Sequence, residues 1–306
     1  MYNEKKQINV ERGHRKMLNI ILNPVSNGGK VRRAFHKVHE KLVSLKTEFR
    51  VFETEREKQA IHLAHELTSE GPCDILAVGG DGTLNEVVNG FSNFENCRLG
   101  LIPAGTGNDF AACAGIPLDP LKALDLVLNG EAKYTDYMQL DGGVRGINII
   151  GTGIDVEILQ RCRRSKILRG KLQYVFSLVI SLFKFKNYSV RTECNGQEHR
   201  YQSLIACVGN GTTLGGGIRM CPAAEIDDGL LDFVVVDDVR RRQIPGAFLK
   251  LMKGKILEQK FTRFERCERA IVVPENKFTM NVDGELYDDL EFKVEIVKNK
   301  LKMFRP

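Results

Sequence analysis

Between Met17 and Gly130 the chain repeats one device: a short apolar run, a loop of small residues, then apolar positions at helical spacing. "MLNIIL" leads through "NPVSNGGK" to Val31, Ala34, Phe35, Val38, Leu42 and Leu45, and "EFRVFET" leads to Ala60, Leu63, Ala64 and Leu67. "CDILAVG" leads through "GDGT" to a helix expected from about Leu84, and "RLGLIP" leads through "AGTGNDFA" to "DPLKALDLVLNG", with Gly130 at the usual place of a C-terminal cap. Short strands alternating with helices read as βαβ units, so this part folds as an α/β layer with a mostly parallel sheet. Ligands of such sheets bind where the loops gather, at the carboxyl ends of the strands.

Beyond Lys133 the pattern changes. "GINIIGTG", "YQSLIACVGNG", "LLDFVVV", "FTRFERC" and "RAIVVP" are strand-like and outnumber two helical stretches, at about 170–185 and 240–255. A chain of 306 residues is long for one hydrophobic core. The expected division is a basic, disordered tail over 1–16, an α/β domain over 17–133, and a β-rich domain over 134–299.

Composition excludes more than it assigns. Hydrophobic residues at 42% and charged residues at 27% are those of a globular protein. A net charge of +6 is compatible with phosphates or anionic lipid, and no nucleic-acid-binding module or aromatic stacking cluster accompanies it, so nucleic acid is not an expected partner. The eight cysteines are scattered singly without a CxxC, which fits reduced thiols in the cytoplasm. His36 with His39 and His62 with His65 lack carboxylate or cysteine neighbours at ligand spacing and read as solvent-facing.

Three loops at one sheet edge, "NPVSNGGK", "GGDGT" and "PAGTGND", share a role. Glycine lets backbone N–H groups approach a ligand, and the helix starts that follow favour an anion, so a nucleotide polyphosphate is the expected occupant. A lone glycine cluster would read equally well as a tight turn. GxxxxGK[ST] is absent and no GxGxxG follows the first strand, which disfavours P-loop and dinucleotide-binding proteins.

In their order and separations, "NPVSNGGK", "GGDGTLNEVVNG", "PAGTGNDFA", "DDGLLD" and "VDGE" resemble the diacylglycerol kinase catalytic family of bacterial soluble lipid kinases, while "GGDGT" alone is shared with NAD kinases and phosphofructokinase-like proteins. The resemblance implies a phosphofructokinase/NAD kinase-like first domain carrying ATP, a β-sandwich second domain, a last strand at about 300–306 returning to the first, and chemistry in the cleft between them. It places ATP against Asn23, Pro24, Val25, Ser26, Asn27, Thr54, Gly80, Asp81, Gly82, Thr83, Leu84, Asn85, Glu86 and Thr106. Asn27 stands where the family usually has glycine, and Asn tolerates the left-handed conformation such a turn needs.

The same resemblance implies Glu285 as proton acceptor, with Asp81 as the alternative, and Asp136 as a residue reaching nucleotide-bound Mg²⁺ through water. A second, structural Mg²⁺ is implied on Glu225, Asp228 and the Leu230 carbonyl, with Asp227 a rival carboxylate; hard oxygen ligands suit that ion. Read on its own, "VDGE" is equally a hairpin turn. The stretch "QRCRRSKILRGKLQYVFSLVISLFKFKN" carries eight basic residues and no acid, and its apolar middle is too short to span a bilayer, so transient contact with an anionic membrane surface is expected, beside the plainer reading of a packed helix with a basic flank. The expected function is transfer of a phosphoryl group from ATP to a lipid hydroxyl, diacylglycerol before a sphingoid base or NAD. A nucleotide-binding regulator without turnover is the non-enzyme alternative, and oligomeric state, a homodimer included, is left open.

Overall fold

The computed structural model describes residues 17–164, 171–184, 186–275, 278–288 and 291–306. The tail expected over 1–16 lies outside the described residues. In chain order the first part runs β1 (Leu18–Leu22), α1 (Lys30–Ser44), β2 (Phe49–Glu53), α2 (Gln59–Ser69), β3 (Asp74–Gly79), α3 (Asp81–Gly90), β4 (Arg98–Pro103), α4 (Asp109–Cys113), α5 (Pro120–Asn129) and β5 (Ala132–Leu140). Next come β6 (Arg145–Gly146), β7 (Ile149–Gly153), α6 (Ile154–Arg164), α7 (Lys171–Lys184), β8 (Tyr188–Cys194), β9 (Gln197–Gly209), β10 (Thr213–Leu214) and β11 (Ile218–Arg219). β12 (Leu231–Asp237), α8 (Ile244–Met252), β13 (Thr262–Cys267), β14 (Arg269–Pro274), β15 (Thr279–Val282), β16 (Glu285–Asp288) and β17 (Phe292–Phe304) complete it.

In the first lobe β2, β1, β3 and β4 lie side by side, all parallel. β1 and β3 are buried along their whole length, as strands covered by helices on both faces must be. The second lobe is antiparallel: β8, β9, β7, β15 and β16 follow one another, β12 joins β9, and β14 joins β8. One hydrophobic cluster fills the first lobe, a second lies within the sandwich, and a third gathers under α6, α7 and α8. β17 connects the lobes, pairing with β14 at its start and running parallel to β4 at Met303. β5 pairs antiparallel with β17 on both sides of an irregularity between Val297 and Leu301.

Three local expectations change, and a fourth, the Gly130 cap, is met for a different reason. α3 begins at Asp81, three residues before Leu84, because the β3 loop turns at Gly80 and the Gly80 carbonyl accepts from the Leu84 N–H (3.0 Å). Gly130 closes α5 in an extended conformation; what requires glycine there is the Leu126 carbonyl, against which a Cβ would press. The single basic amphipathic segment is two helices, α6 and α7, with Lys166 and Arg169 outside the described residues. α6 itself was not expected, nor was β5, whose exposed charges and short buried stretch disguise a nine-residue strand.

Candidate functional site

The three small-residue loops meet at the carboxyl ends of β1, β3 and β4. Their backbones touch: a Cβ on Gly80 would lie 2.9 Å from the Gly105 Cα, and one on Gly105 would sit on the Gly80 Cα. Ser26 approaches the same point. Asn27 is left-handed (φ 51°), and its amide locks the loops together, donating to the Gly105 carbonyl (3.0 Å) and accepting from Thr106 Oγ1 (3.2 Å). The substitution for glycine thus adds a fastener and keeps the turn. Asn23 donates to Thr83 Oγ1 (3.2 Å), and the Thr54 N–H bonds the Leu22 carbonyl (2.9 Å), placing both at the rim.

α1 and α3 both start at this rim, and among the described residues no side chain caps either. By contrast, Asp119 caps α5 through the Leu121 and Lys122 N–H groups (3.0 Å each). Positive φ at Gly28 and Gly29 opens space into which a Cβ would meet nothing within 4 Å. Uncapped helix starts beside an open, glycine-lined turn fit an anion with several oxygens. The residues present therefore suit a nucleotide's phosphates.

Because α3 begins at Asp81, its side chains turn by about 100° per residue, so those of Gly80–Glu86 do not all face the rim. Asp81 faces the cleft, with Oδ1 accepting from the Phe110 N–H (3.2 Å). Leu84 is in the core, Thr83 is buried against Asn23, and Asn85 is buried against the other lobe. Glu86 accepts from the Ala60 N–H (3.2 Å) at the start of α2, and burial raises its pKa. Within Gly80–Glu86, only the first three residues are left to meet a ligand at the rim.

The opposing wall belongs to the second lobe. A cleft of about 320 Å³ is lined by Asp81, Thr106 and Asp109 on one side and by Asn148, Asn281 and Asp283 among others on the far side. Asp109 Oδ2 accepts from the Gly216 N–H (2.7 Å), tying α4 to the β10–β11 turn. Asp283 and Gly284 form the two-residue turn between β15 and β16, both at positive φ (50° and 96°), so "VDGE" is a hairpin turn as well as a site motif. The Asp283 carboxylate accepts from the N–H groups of Ile147 (2.6 Å), Asn148 (3.0 Å) and Ile149 (2.9 Å) and from Asn85 Nδ2 (2.9 Å). Burial lifts its pKa to about 6, and these four donors restrain the rise. Arg145 holds the far end of α3, donating to the Val88 and Phe91 carbonyls (2.8 and 2.7 Å). α3 is thus a strut fixed to the second lobe at its middle and end, with its start in the cleft.

Glu285 does not line that cleft. It stands on β16 beside Glu86 and Tyr287, and its charge raises the pKa of both. Asp136 is 1% exposed and lies away from the cleft lining: its oxygens accept from the Gly229 and Asn299 N–H groups (2.7 Å each), pinning the β17 irregularity where the chain passes between lobes. That is a structural occupation, and it corrects the expectation of an Asp136 facing nucleotide-bound Mg²⁺. The loop expected to hold a second Mg²⁺ is also differently occupied. Asp228 Oδ1 accepts from the Leu230 N–H (2.9 Å), Oδ2 faces Arg266 Nη1 (3.3 Å), and Glu225 is exposed. The guanidinium stands where the sequence places a cation, and among the described residues no three His, Cys, Asp or Glu side chains converge on a metal position.

A second, apolar cavity of about 60 Å³ lies next to the cleft, under α6, α7 and α8, and Leu214 lines both. At the seam, Asn281 Nδ2 bonds Asp155 Oδ2 (3.1 Å), while Asp155 Oδ1 is buried without a hydrogen-bond partner. Sequence reasoning missed Asp109, Arg145, Asn148, Asp155, Asn281 and Asp283. Asp109 and Asp283 lay inside quoted motifs, where helix phase and hairpin geometry select them; Arg145 and Asp155 carry no local signal.

Residues 17–140 match the model of the diacylglycerol kinase catalytic domain, and residues 148–305 match that of the YegS C-terminal NAD kinase beta sandwich-like domain. The chain is 32% identical over 254 residues to a probable lipid kinase YegS-like protein of Xanthomonas euvesicatoria pv. vesicatoria, covering 79% of this chain and 81% of that one. It is 30% identical over 273 residues to a diacylglycerol kinase of Bacillus subtilis, covering 88% and 90%. Two solved structures from Bacillus anthracis, one a diacylglycerol kinase at TM-score 0.73 and 22% identity, the other at 0.77 and 24%, each share the fold over 95% of this chain and 97% of their own. The chain belongs to the bacterial diacylglycerol kinase family, lipid kinases that phosphorylate an alcohol.

Proposed function

We propose that the protein transfers the γ-phosphate of ATP, brought in with Mg²⁺, to the hydroxyl of diacylglycerol, giving phosphatidic acid. The observation that carries this reading is the change of character at Leu214: a polar cleft under an anion-binding rim passes there into a wall made almost wholly of aliphatic and aromatic side chains. An amphiphilic alcohol matches that change, with its head in the cleft and only the part next to the head against the apolar wall. An NAD acceptor would set phosphates against the apolar side, where nothing hydrogen-bonds them.

Phosphoryl transfer asks for positioning, charge neutralisation and an acceptor for the alcohol proton. Gly28, Gly29 and the starts of α1 and α3 hold the phosphates, and Mg²⁺ carried in with the nucleotide would supply the charge neutralisation. Asp81, in the cleft and positioned by the Phe110 N–H, takes the proton, and Glu285 acts from outside the lining through its charge, which bears on Glu86. Incubation with labelled ATP and Mg²⁺, with diacylglycerol, sphingosine or NAD in parallel tubes, tests the assignment. Label is expected in phosphatidic acid, and label only in sphingosine phosphate or NADP overturns it.

A further inference from the structure

α8 has two apolar sides. Ile244, Ala247, Phe248 and Leu251 face inward and line the small cavity, as a packed helix requires. Leu249 and Met252 face outward, 60% and 45% exposed. They are not isolated: across the same cavity, α7 lines it with Leu178 and Leu182 and turns Phe176 outward at 56% exposure. Large side chains exposed on both helices that roof one apolar cavity call for an occupant.

The surrounding charge says which. The stretch "VRRRQIPGAFLKLMKGKIL", residues 239–257, holds six basic residues and no acid. Lys250 and Lys253 are exposed on the face that carries Leu249 and Met252, with Arg240, Arg242 and Lys255 exposed at the two ends. The flanking acids are Asp238, exposed just before the stretch, and Glu258 just after it, which meets Lys255 (3.1 Å) and lies 4.0 Å from Lys250. Apolar tips ringed by lysine and arginine match an anionic lipid surface, whose headgroups take the cations while the tips enter the acyl boundary.

The cavity's size supplies an independent reason. At about 60 Å³ it is less than half the roughly 150 Å³ of an apolar cavity that holds benzene, so the acyl chains of a lipid do not fit inside it. An acceptor with long chains must be reached while they remain in the lipid phase. We propose that α8, with α7 beside it, is the docking face of this protein for an anionic bilayer, bringing the cavity and the adjoining cleft to the membrane surface. The inference rests on the lipid-acceptor reading above, and it extends the docking element from the expected segment at 160–187, which holds α7, to α8, a helix that the sequence reading treated as ordinary.

The chain has no tryptophan, so one introduced at Leu249 reports alone. Leu249→Trp should shift to the blue and be quenched by brominated acyl chains with phosphatidylcholine vesicles containing phosphatidylglycerol, and respond far less to pure phosphatidylcholine. A reference, Leu118→Trp in the first lobe, should respond to neither. Leu249→Asp combined with Met252→Asp should lower partition onto the anionic vesicles roughly tenfold or more, with phosphorylation of vesicle-borne diacylglycerol falling in step. Activity on a dispersed short-chain diacylglycerol should be unchanged, since neither side chain lines the cleft or the cavity. Indifference of Leu249→Trp to anionic vesicles overturns the proposal. So does a blue shift with protein concentration alone, which would assign the face to a second copy of the chain. If no diacylglycerol is phosphorylated in any form, the acceptor reading fails, and the fluorescence result still decides the docking.

Discussion

The two walls of the cleft are built by opposite means. On the first lobe, backbone makes the surface: Gly80 and Gly105 cross in contact, and α1 and α3 present uncapped starts. On the second lobe, side chains make it, through the buried Asp283 network and an apolar roof of three helices. The difference separates the tasks. A polyphosphate is the same in every kinase and is met by main-chain donors, whereas an acceptor is particular and is met by side chains.

The sharpest test of this division concerns the residue where the walls face each other. Asp81→Asn should cut turnover by about 10²- to 10⁴-fold, the usual cost of losing a general base, with the KM for ATP changed little. Glu285→Gln, outside the cleft lining, should cost less. Steady-state kinetics of the two variants decides, and the reverse order would transfer the proton to Glu285. Next in size is the backbone crossing. A Cβ at residue 105 must push the two loops apart, so Gly105→Ala should weaken ATP binding roughly tenfold or more, about 1.4 kcal/mol, in a direct nucleotide-binding titration, while the KM for lipid holds. Leu214→Asp is its counterpart on the other wall. A charge at the seam should raise the KM for diacylglycerol roughly tenfold and leave ATP binding alone. If each variant impaired both substrates equally, the walls would not be separable.

That division also explains what could be read in the sequence. The parallel sheet and the rim were legible because they depend on periodicity and on glycines at strand ends, both local. Gly105 and Gly107, read only as small residues, prove specific: the first touches Gly80, and a Cβ on the second would lie 2.9 Å from Asp81 Oδ2. The start of the helix after Gly80 was misread by three residues, and Leu84, which the resemblance alone offered as an ATP contact, has its side chain in the core. Asp136 and Asp228 look like cleft acids because their neighbours resemble motifs, but burial against backbone N–H groups and Arg266 is set by contacts across 93 and 163 residues of chain for Asp136 alone. The acceptor wall was silent for a plainer reason. Its Ile, Leu, Val and Phe are what any core would use, and only the third dimension separates a lining from a filling.

The lobes differ in one further respect, which gives the smallest effect. The three carboxyls raised to about 6 by burial, Asp155, Asp232 and Asp283, all belong to the second lobe. Each binds a proton in the folded chain near pH 6, where the unfolded chain, near 3.8, does not. Stability from these groups therefore falls as pH rises from about 4 to about 6 and is level above. Asp155 is the cleanest probe, since its carboxylate bonds the neutral amide of Asn281 whereas Asp232 is offset by the charge of Arg266. Between pH 7 and pH 5.5 its protonation should add roughly 1 kcal/mol to the unfolding free energy. In urea titrations at the two pH values, Asp155→Asn should lack that increment relative to the unsubstituted protein. Equal increments would mean that the Asp155 carboxyl is not held protonated by its burial at the seam, and the second wall would lose the acid that sets it apart from the first.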